Sequence, residues 1–105
     1  MKNPLGIHAL VWTGSWQGKD IDFAIGNSSK LGFDIIEIPL LNPYNFDADY
    51  TKKLLGINRI QAVTSLGLSD ETDISSNEPE VRKNGARLLS KALELSLIHI
   101  SEPTR

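Results

Sequence analysis

Apolar residues along this chain follow two different spacings, one typical of strands and one typical of helices. Three short runs rich in β-branched and apolar residues predict strands: GIHALVWT at 6–13, FDIIEIPL at 33–40 and RIQAVTSLGL at 59–68. After each run, apolar residues recur at helical spacing, which predicts helices from about residue 20 to 31, from about 47 to 55 and from about 77 to 95. The pattern therefore predicts three β-α units in a row.

Capping and turn residues punctuate the predicted helices. Asp20 can cap the first helix and Gly32 can end it. Ser76 or Asn77 can cap the third helix, with Pro79 in its first turn. We expect the first helix to bury Ile21, Ala24, Ile25 and Ser28, and the third to bury Val81, Leu88, Leu89, Ala92 and Leu95.

Repeated β-α alternation predicts an α/β fold with a parallel sheet, either doubly wound or closed as a barrel. The nearly continuous apolar run at 33–40 predicts a strand that is buried on both faces. Three strands complete neither architecture, because they would leave unpaired edges and uncovered apolar surface. We therefore expect residues 1–94 to be the front of a longer, truncated fold.

The last stretch, LSLIHISEPTR at residues 95–105, breaks the helical pattern by spreading apolar side chains in every direction. It has no capping glycine and no cationic last turn. The stretch resembles the translation of a transposon-type sequencing-library adapter, so we expect it to be non-native, with an ordinary frayed terminus as the alternative. His99 is discounted as a candidate site residue on this ground, and Leu95 is compatible with either origin.

Composition narrows the function classes. The chain has 105 residues, a net charge of −2 and scattered cations, which argues against nucleic acid as a partner. No apolar run approaches the roughly 20 residues of a membrane span, and the first residues lack a signal-peptide core, so we expect no membrane partner and a cytoplasmic location. The absence of cysteine excludes disulfides and a thiolate nucleophile. Dinucleotide, phosphate-loop and His-Glu-x-x-His motifs are also absent.

Three segments carry a resemblance to a known family. GIHALVWTGSW, KLGFDIIEIPL and SLGLSDETDISSNEPEVRKNG, in this order, resemble the first three β-α units of the ketose 3-epimerases, which include the tagatose and psicose (allulose) 3-epimerases. These enzymes belong to the xylose-isomerase-like sugar isomerases and epimerases. The resemblance implies the first three units of a (β/α)8 TIM barrel of roughly 250 residues or more.

The resemblance also implies a chemistry. Members of the family move a proton at carbon 3 of a ketose through an enediolate, with two glutamates as acid and base and a divalent metal (Mn, Co or Mg) on the sugar oxygens. Two glutamates, an aspartate and a histidine hold the metal, and all four come from later strands. The implied partner is a ketose sugar and the implied parent is a homo-oligomer. We therefore assign neither catalytic nor metal-binding residues here and expect the fragment itself to be inactive.

The resemblance places four residues in the wall of the sugar pocket: His8, Trp16, Ser65 and Leu66. His8 stands where the family has an inward aromatic residue, and this departure leaves the preferred sugar open. Each residue also has a purely structural interpretation. His8 can be a hydrogen-bonded core residue, packing alone can explain Trp16, and Ser65 can be a small filler, since no Gly-x-Ser-x-Gly elbow surrounds it.

Two further residues stay ambiguous at this point. Trp12 can line the barrel interior or the pocket. Glu37 is a carboxylate in the middle of an apolar strand, where a buried acid needs partners, and an interior hydrogen-bonding role is favoured over a catalytic one. The charges at 78–83 are typical of a solvated helix start.

Three functions fit the sequence. The first is the N-terminal part of a ketose 3-epimerase. The second keeps the barrel and changes the reaction, as in hydroxypyruvate isomerases, inosose dehydratases and endonuclease-IV-like enzymes. The third is a small non-catalytic α/β module that binds a partner through its exposed sheet edge.

Overall fold

The computed structural model describes residues 3–96, which form three parallel strands and three helices in strict alternation. The strands are β1 (Gly6–His8), β2 (Ile35–Pro39) and β3 (Gln61–Ser65). The helices are α1 (Lys19–Lys30), α2 (Ala48–Asn58) and α3 (Pro79–Glu94). Short 3₁₀ turns at Ala9–Val11 and Pro43–Asn45 follow the first two strands. The three predicted β-α units are confirmed.

The strands lie side by side in chain order, β1-β2-β3, and both pairings are parallel. In the register, His8 stands opposite Glu37, which stands opposite Val63. Two residues further along, Pro39 stands opposite Ser65. This is the α/β arrangement expected of the first part of a β-α barrel, in which every strand adds beside the previous one.

The two faces of the sheet differ in what covers them. Ile36 and Ile38 are fully buried in one core cluster with the inner faces of α1 and α2. Their neighbours on the opposite face, Ile35, Glu37 and Pro39, are only half-buried. We call this second surface the open face. The prediction that β2 is buried on both faces is therefore wrong for residues 3–96, in which helices cover one face alone.

β1 is much shorter than the predicted strand at 6–13. The His8 side chain ends it, because Nδ1 accepts a 3.1 Å hydrogen bond from the backbone N–H of Leu10. The chain turns there into a 3₁₀ turn, and Ala9 becomes buried in the core. β3 is also shorter than predicted, ending at Ser65.

The start of α1 differs from the predicted cap. Gly18, with a φ of +46°, is the N-cap residue, and Asp20 lies in the first turn, where it accepts a hydrogen bond from the Ser15 hydroxyl. The predicted stop at Gly32 is consistent with its φ of +90°, a conformation that favours glycine. The predicted buried face is confirmed in full: Ile21, Ala24, Ile25 and Ser28.

α3 begins later than either predicted cap would place it. Its N-cap is Glu78, which makes no side-chain cap hydrogen bond, and Pro79 occupies the first helical position. The Ser76 hydroxyl accepts the Glu78 N–H instead, one step before the helix. Of the predicted apolar face, Ala92 and Leu95 are buried, whereas Val81, Leu88 and Leu89 are half-buried.

Residues 1–2 and 97–105 lie outside the described residues, and with them His99 and most of the predicted adapter-derived segment. Within the described part, Leu95 packs in the core cluster and the Ser96 and Thr64 hydroxyls are in contact. No helix in residues 3–96 is long and apolar enough to span a bilayer.

Candidate functional site

The carboxyl ends of the three strands meet at one edge of the sheet, which we call the carboxyl edge. His8 is the last residue of β1 and Ser65 the last residue of β3. Trp16 lies in the loop after β1, and Leu66 follows β3 directly. In β-α barrels this edge and its loops form the active site. The four predicted pocket residues thus all lie at or just beyond the carboxyl edge.

The His8 ring has one hydrogen bond and one nearby carboxylate. Its Nδ1 accepts the Leu10 N–H, and its Nε2 lies 3.6 Å from Oε2 of Glu37 on the neighbouring strand. Because Nδ1 accepts a hydrogen bond, the neutral ring carries its proton on Nε2. The side chains of His8 and Glu37 are 35% and 43% exposed. They form a polar pair on the open face that a small molecule can reach.

Glu37 is a partly exposed carboxylate that lies beside His8. Alternation along β2 places its side chain on the open face, away from Ile36 and Ile38. The Glu37 side chain is 43% exposed and lies 3.6 Å from His8, beyond hydrogen-bond length, so the interior hydrogen-bonding role expected from the sequence stays a prediction.

Trp16 is more deeply buried than expected for a residue that only lines a pocket. The residue is only 6% exposed, and the indole N–H donates a 3.0 Å hydrogen bond to Oγ1 of Thr51 in α2. Its remaining surface contributes to a cleft of about 100 Å³ between the first two β-α loops. The cleft is also lined by Ser15, Gln17, Leu41, Asn42, Asn45 and Phe46.

Trp12 belongs to the helix side of the sheet. Its indole N–H donates a 2.8 Å hydrogen bond to the hydroxyl of Ser28, a fully buried residue of α1. Its ring meets Phe23 edge-on at a centroid distance of 5.9 Å. Both partners are on α1, so neither the barrel interior nor the pocket describes its position.

Ser65 and Leu66 line a different cleft, of about 180 Å³, between the end of the sheet and α3. Leu40, Leu89 and Ala92 form part of its apolar wall. The Ser65 carbonyl also accepts the Leu40 N–H at 2.8 Å. The structure therefore places the predicted residues along one edge but does not gather all four in a single cleft.

Residues 3–96 contain no group of three or more His, Asp or Glu side chains arranged to hold a metal ion. His8 and Glu37 supply two such side chains at the open face, fewer than the ligand sets of common protein metal sites. The described residues alone therefore do not fit the divalent metal that the family resemblance implies.

The sequence did not single out Asn42 and Phe46, which border Trp16 at the carboxyl edge. Both come from the turn-rich stretch LNPYNFD after β2. Their position in the loop after β2 could have indicated them, since loops that follow parallel strands gather at the same edge of the sheet.

The chain is similar to known sugar epimerases. The chain is 41% identical over 91 residues to a ketose 3-epimerase of Arthrobacter globiformis and 42% identical over 90 residues to an L-ribulose 3-epimerase of Methylomonas sp. (strain DH-1). The chain is homologous to the ketose 3-epimerases. The resemblance predicted from the three sequence segments is confirmed, although no protein-family model matches the chain.

A solved structure extends the homology to the fold. The D-allulose 3-epimerase of Methylomonas sp., crystallised in complex with D-allulose, superposes with a TM-score of 0.84 at 41% identity, over 88% of this chain. The predicted fold class, three β-α units of a TIM barrel, is confirmed. The chain spans about a third of the length of these relatives, 32% in each case.

Proposed function

We propose that this chain supplies three β-α units of a longer ketose 3-epimerase. The observation that carries the proposal is the identity of 41–42% to ketose and L-ribulose 3-epimerases over about nine-tenths of the chain. The matched region includes the carboxyl edge, where the candidate pocket residues lie. The match to an enzyme crystallised with D-allulose supports a ketose as the small-molecule partner.

The proposed reaction inverts one carbon centre. The C3 proton of a ketose is acidic because it is adjacent to the C2 carbonyl. A base removes it, the electron pair moves into an enediolate, and an acid on the opposite face returns a proton to C3. The bonds broken and formed are both C–H, so no group is lost and no redox partner is needed.

We assign the wall of the pocket, rather than the proton transfer, to the described residues. His8 presents a polar ring at the end of β1, and Trp16, Ser65 and Leu66 stand at the loops beyond the strands. We propose that the acid, the base and a divalent metal site (Mn, Co or Mg) belong to other parts of the longer protein, because residues 3–96 hold no ligand cluster. The chain alone is then inactive.

The decisive experiment uses the source DNA. Sequencing on both sides of this reading frame defines the longest continuous product, which is then purified and incubated with fructose, tagatose or hydroxypyruvate in the presence of manganese or cobalt. We expect conversion of fructose to allulose or of tagatose to sorbose, with solvent deuterium entering at C3 in D2O. Turnover of hydroxypyruvate without any C3 epimer would instead assign the protein to another reaction of the same barrel, and the proposal would be wrong.

Trp16 offers a sharper test within an active enzyme. Replacing it by Phe keeps an aromatic surface but removes the indole N–H that Thr51 accepts. We expect Trp16→Phe to leave the KM for the ketose nearly unchanged, and Trp16→Leu to raise it several-fold, because an aliphatic side chain offers the sugar a poorer flat surface. Equal KM values in all three proteins would remove Trp16 from the pocket.

A further inference from the structure

The His8 and Glu37 side chains are adjacent because the parallel register places them opposite each other on β1 and β2. Both point to the open face, where they remain partly exposed. On the other face of the same sheet, Ile36 and Ile38 are fully buried, so core packing does not require a carboxylate at position 37.

The two ends of the imidazole ring face different partners. The Leu10 N–H occupies Nδ1 at 3.1 Å, which leaves the neutral ring with a hydrogen atom on Nε2. Oε2 of Glu37 stands 3.6 Å from that nitrogen, beyond hydrogen-bond length but close enough to attract the N–H. The carboxylate and the backbone donor therefore favour the same tautomer and the same ring orientation.

We propose that Glu37 is a positioning residue that acts through His8. It keeps the Nε2 hydrogen atom directed along the open face, so that the imidazole N–H and the carboxylate together bracket one hydroxyl of a sugar, one as donor and the other as acceptor. The part of this inference that concerns a sugar rests on the proposed function. The part that concerns the His8 ring does not.

The ring itself can be followed without any activity. Selective 15N labelling of histidine reports the tautomer, because the unprotonated ring nitrogen resonates far downfield of the protonated one. The measurement is made on the longest folded product, either the 105-residue chain or its extension. A His99→Gln background removes the second histidine of the chain from the spectrum.

Glu37→Met keeps the length of the side chain and removes the acceptor. We expect the Nε2–H tautomer to dominate in the parent and the share of the Nδ1–H tautomer to rise several-fold in Glu37→Met. Glu37→Gln retains an acceptor oxygen and should restore the parental ratio. Glu80→Met is the matched control, because Glu80 pairs with Lys83 on α3 and should leave the His8 signals unchanged.

A Glu37→Met spectrum identical to that of the parent would overturn the inference. If Glu37→Met loses the dispersed amide spectrum of a folded protein, Glu37→Asp decides in its place, since its carboxylate is one methylene farther from Nε2. We expect an intermediate tautomer ratio for Glu37→Asp, and the parental ratio would count against the proposal.

The kinetic arm uses the extended enzyme with fructose or allulose. We expect Glu37→Met to raise KM about tenfold with a smaller change in kcat, as for the loss of an oriented hydrogen bond in binding. An active enzyme whose KM is unchanged in Glu37→Met contradicts the positioning role. A parent without epimerase activity contradicts the proposed function instead, and the tautomer measurement then decides the inference alone.

Discussion

The indole N–H of Trp16 donates a 3.0 Å hydrogen bond to the Thr51 hydroxyl, which in turn donates to the Asp47 carbonyl at 2.8 Å. This short chain joins the loop after β1 to the first turn of α2. Thr51 is completely buried and Trp16 nearly so. The loop that carries a proposed pocket residue is thus anchored to the neighbouring β-α unit.

Thr51→Val tests this anchor. Valine has the shape of threonine but cannot accept the indole N–H, so a buried donor is left unpaired, and we expect the free energy of unfolding to fall by about 1–3 kcal/mol. Urea denaturation of the longest folded product measures it. A double-mutant cycle with Trp16→Phe should give a coupling of about 1 kcal/mol, and strictly additive effects would exclude the bond as a stabilising contact.

Gly85 allows the loop after β3 to lie against α3. A Cβ atom built on it would collide with the Thr72 carbonyl oxygen and stand 2.7 Å from Cγ2 of Ile74. We expect Gly85→Ala to lower the free energy of unfolding by about 1–3 kcal/mol because the loop must shift. Gly26→Ala in α1 is the control, since apart from its chain neighbours and the backbone of its own helix no described atom lies within 4 Å of its Cβ position. Alanine there should stabilise by about 0.5–1 kcal/mol. Equal effects at both glycines would contradict the close packing.

Val63 tests whether the open face becomes an interior in a longer protein. It is 48% exposed in this chain. Val63→Asn should change the stability of the 105-residue chain by less than about 0.5 kcal/mol. In the extended protein the same change should cost about 2 kcal/mol or more, because a closed barrel would bury an amide without partners. Ile57→Asn, on an exposed part of α2, should be nearly neutral in both, and a neutral Val63→Asn in the extended protein would argue against closure.

The Tyr50 hydroxyl makes the stability of the fold depend on pH in the alkaline range. It donates a 2.5 Å hydrogen bond to Oδ1 of Asp22, and this bond raises the pKa of Tyr50 above its ordinary value of 10.0. A raised pKa in the folded state means that this stabilisation is present below pH 10 and is lost as the pH rises through the folded-state pKa. Tyr50→Phe should therefore flatten the dependence of unfolding free energy on pH above about pH 10, as measured by urea denaturation at a series of pH values. An unchanged slope would contradict the Tyr50–Asp22 bond.

The architecture was predictable because apolar residues follow a strand-like spacing in some segments and a helical spacing in others. Ile21, Ala24 and Ile25 recur at helical intervals and lie in the core, and the three apolar runs became three parallel strands. The bounds were less predictable. β1 stops at His8 because a side chain captures a backbone N–H two residues later, a local contact that hydrophobic pattern does not reveal.

For the candidate site, the sequence predicted which residues lie at the carboxyl edge of the sheet. Strand ends and following loops placed His8, Trp16 and Ser65 there, but side-chain partners depend on packing between units far apart in the sequence. The Trp16 bond to Thr51 spans 35 positions and the His8 approach to Glu37 depends on the register of two strands. No local pattern encodes either contact.

The strand order β1-β2-β3 also has a consequence for folding during synthesis. Each strand pairs with the one synthesised just before it, so the contacts needed at any moment are with residues that have already left the ribosome. A nascent chain can thus assemble unit by unit, which keeps loop-closure entropy small at every stage. During this growth the newest strand has one unpaired edge until the next strand is added, and such an edge can pair with another chain.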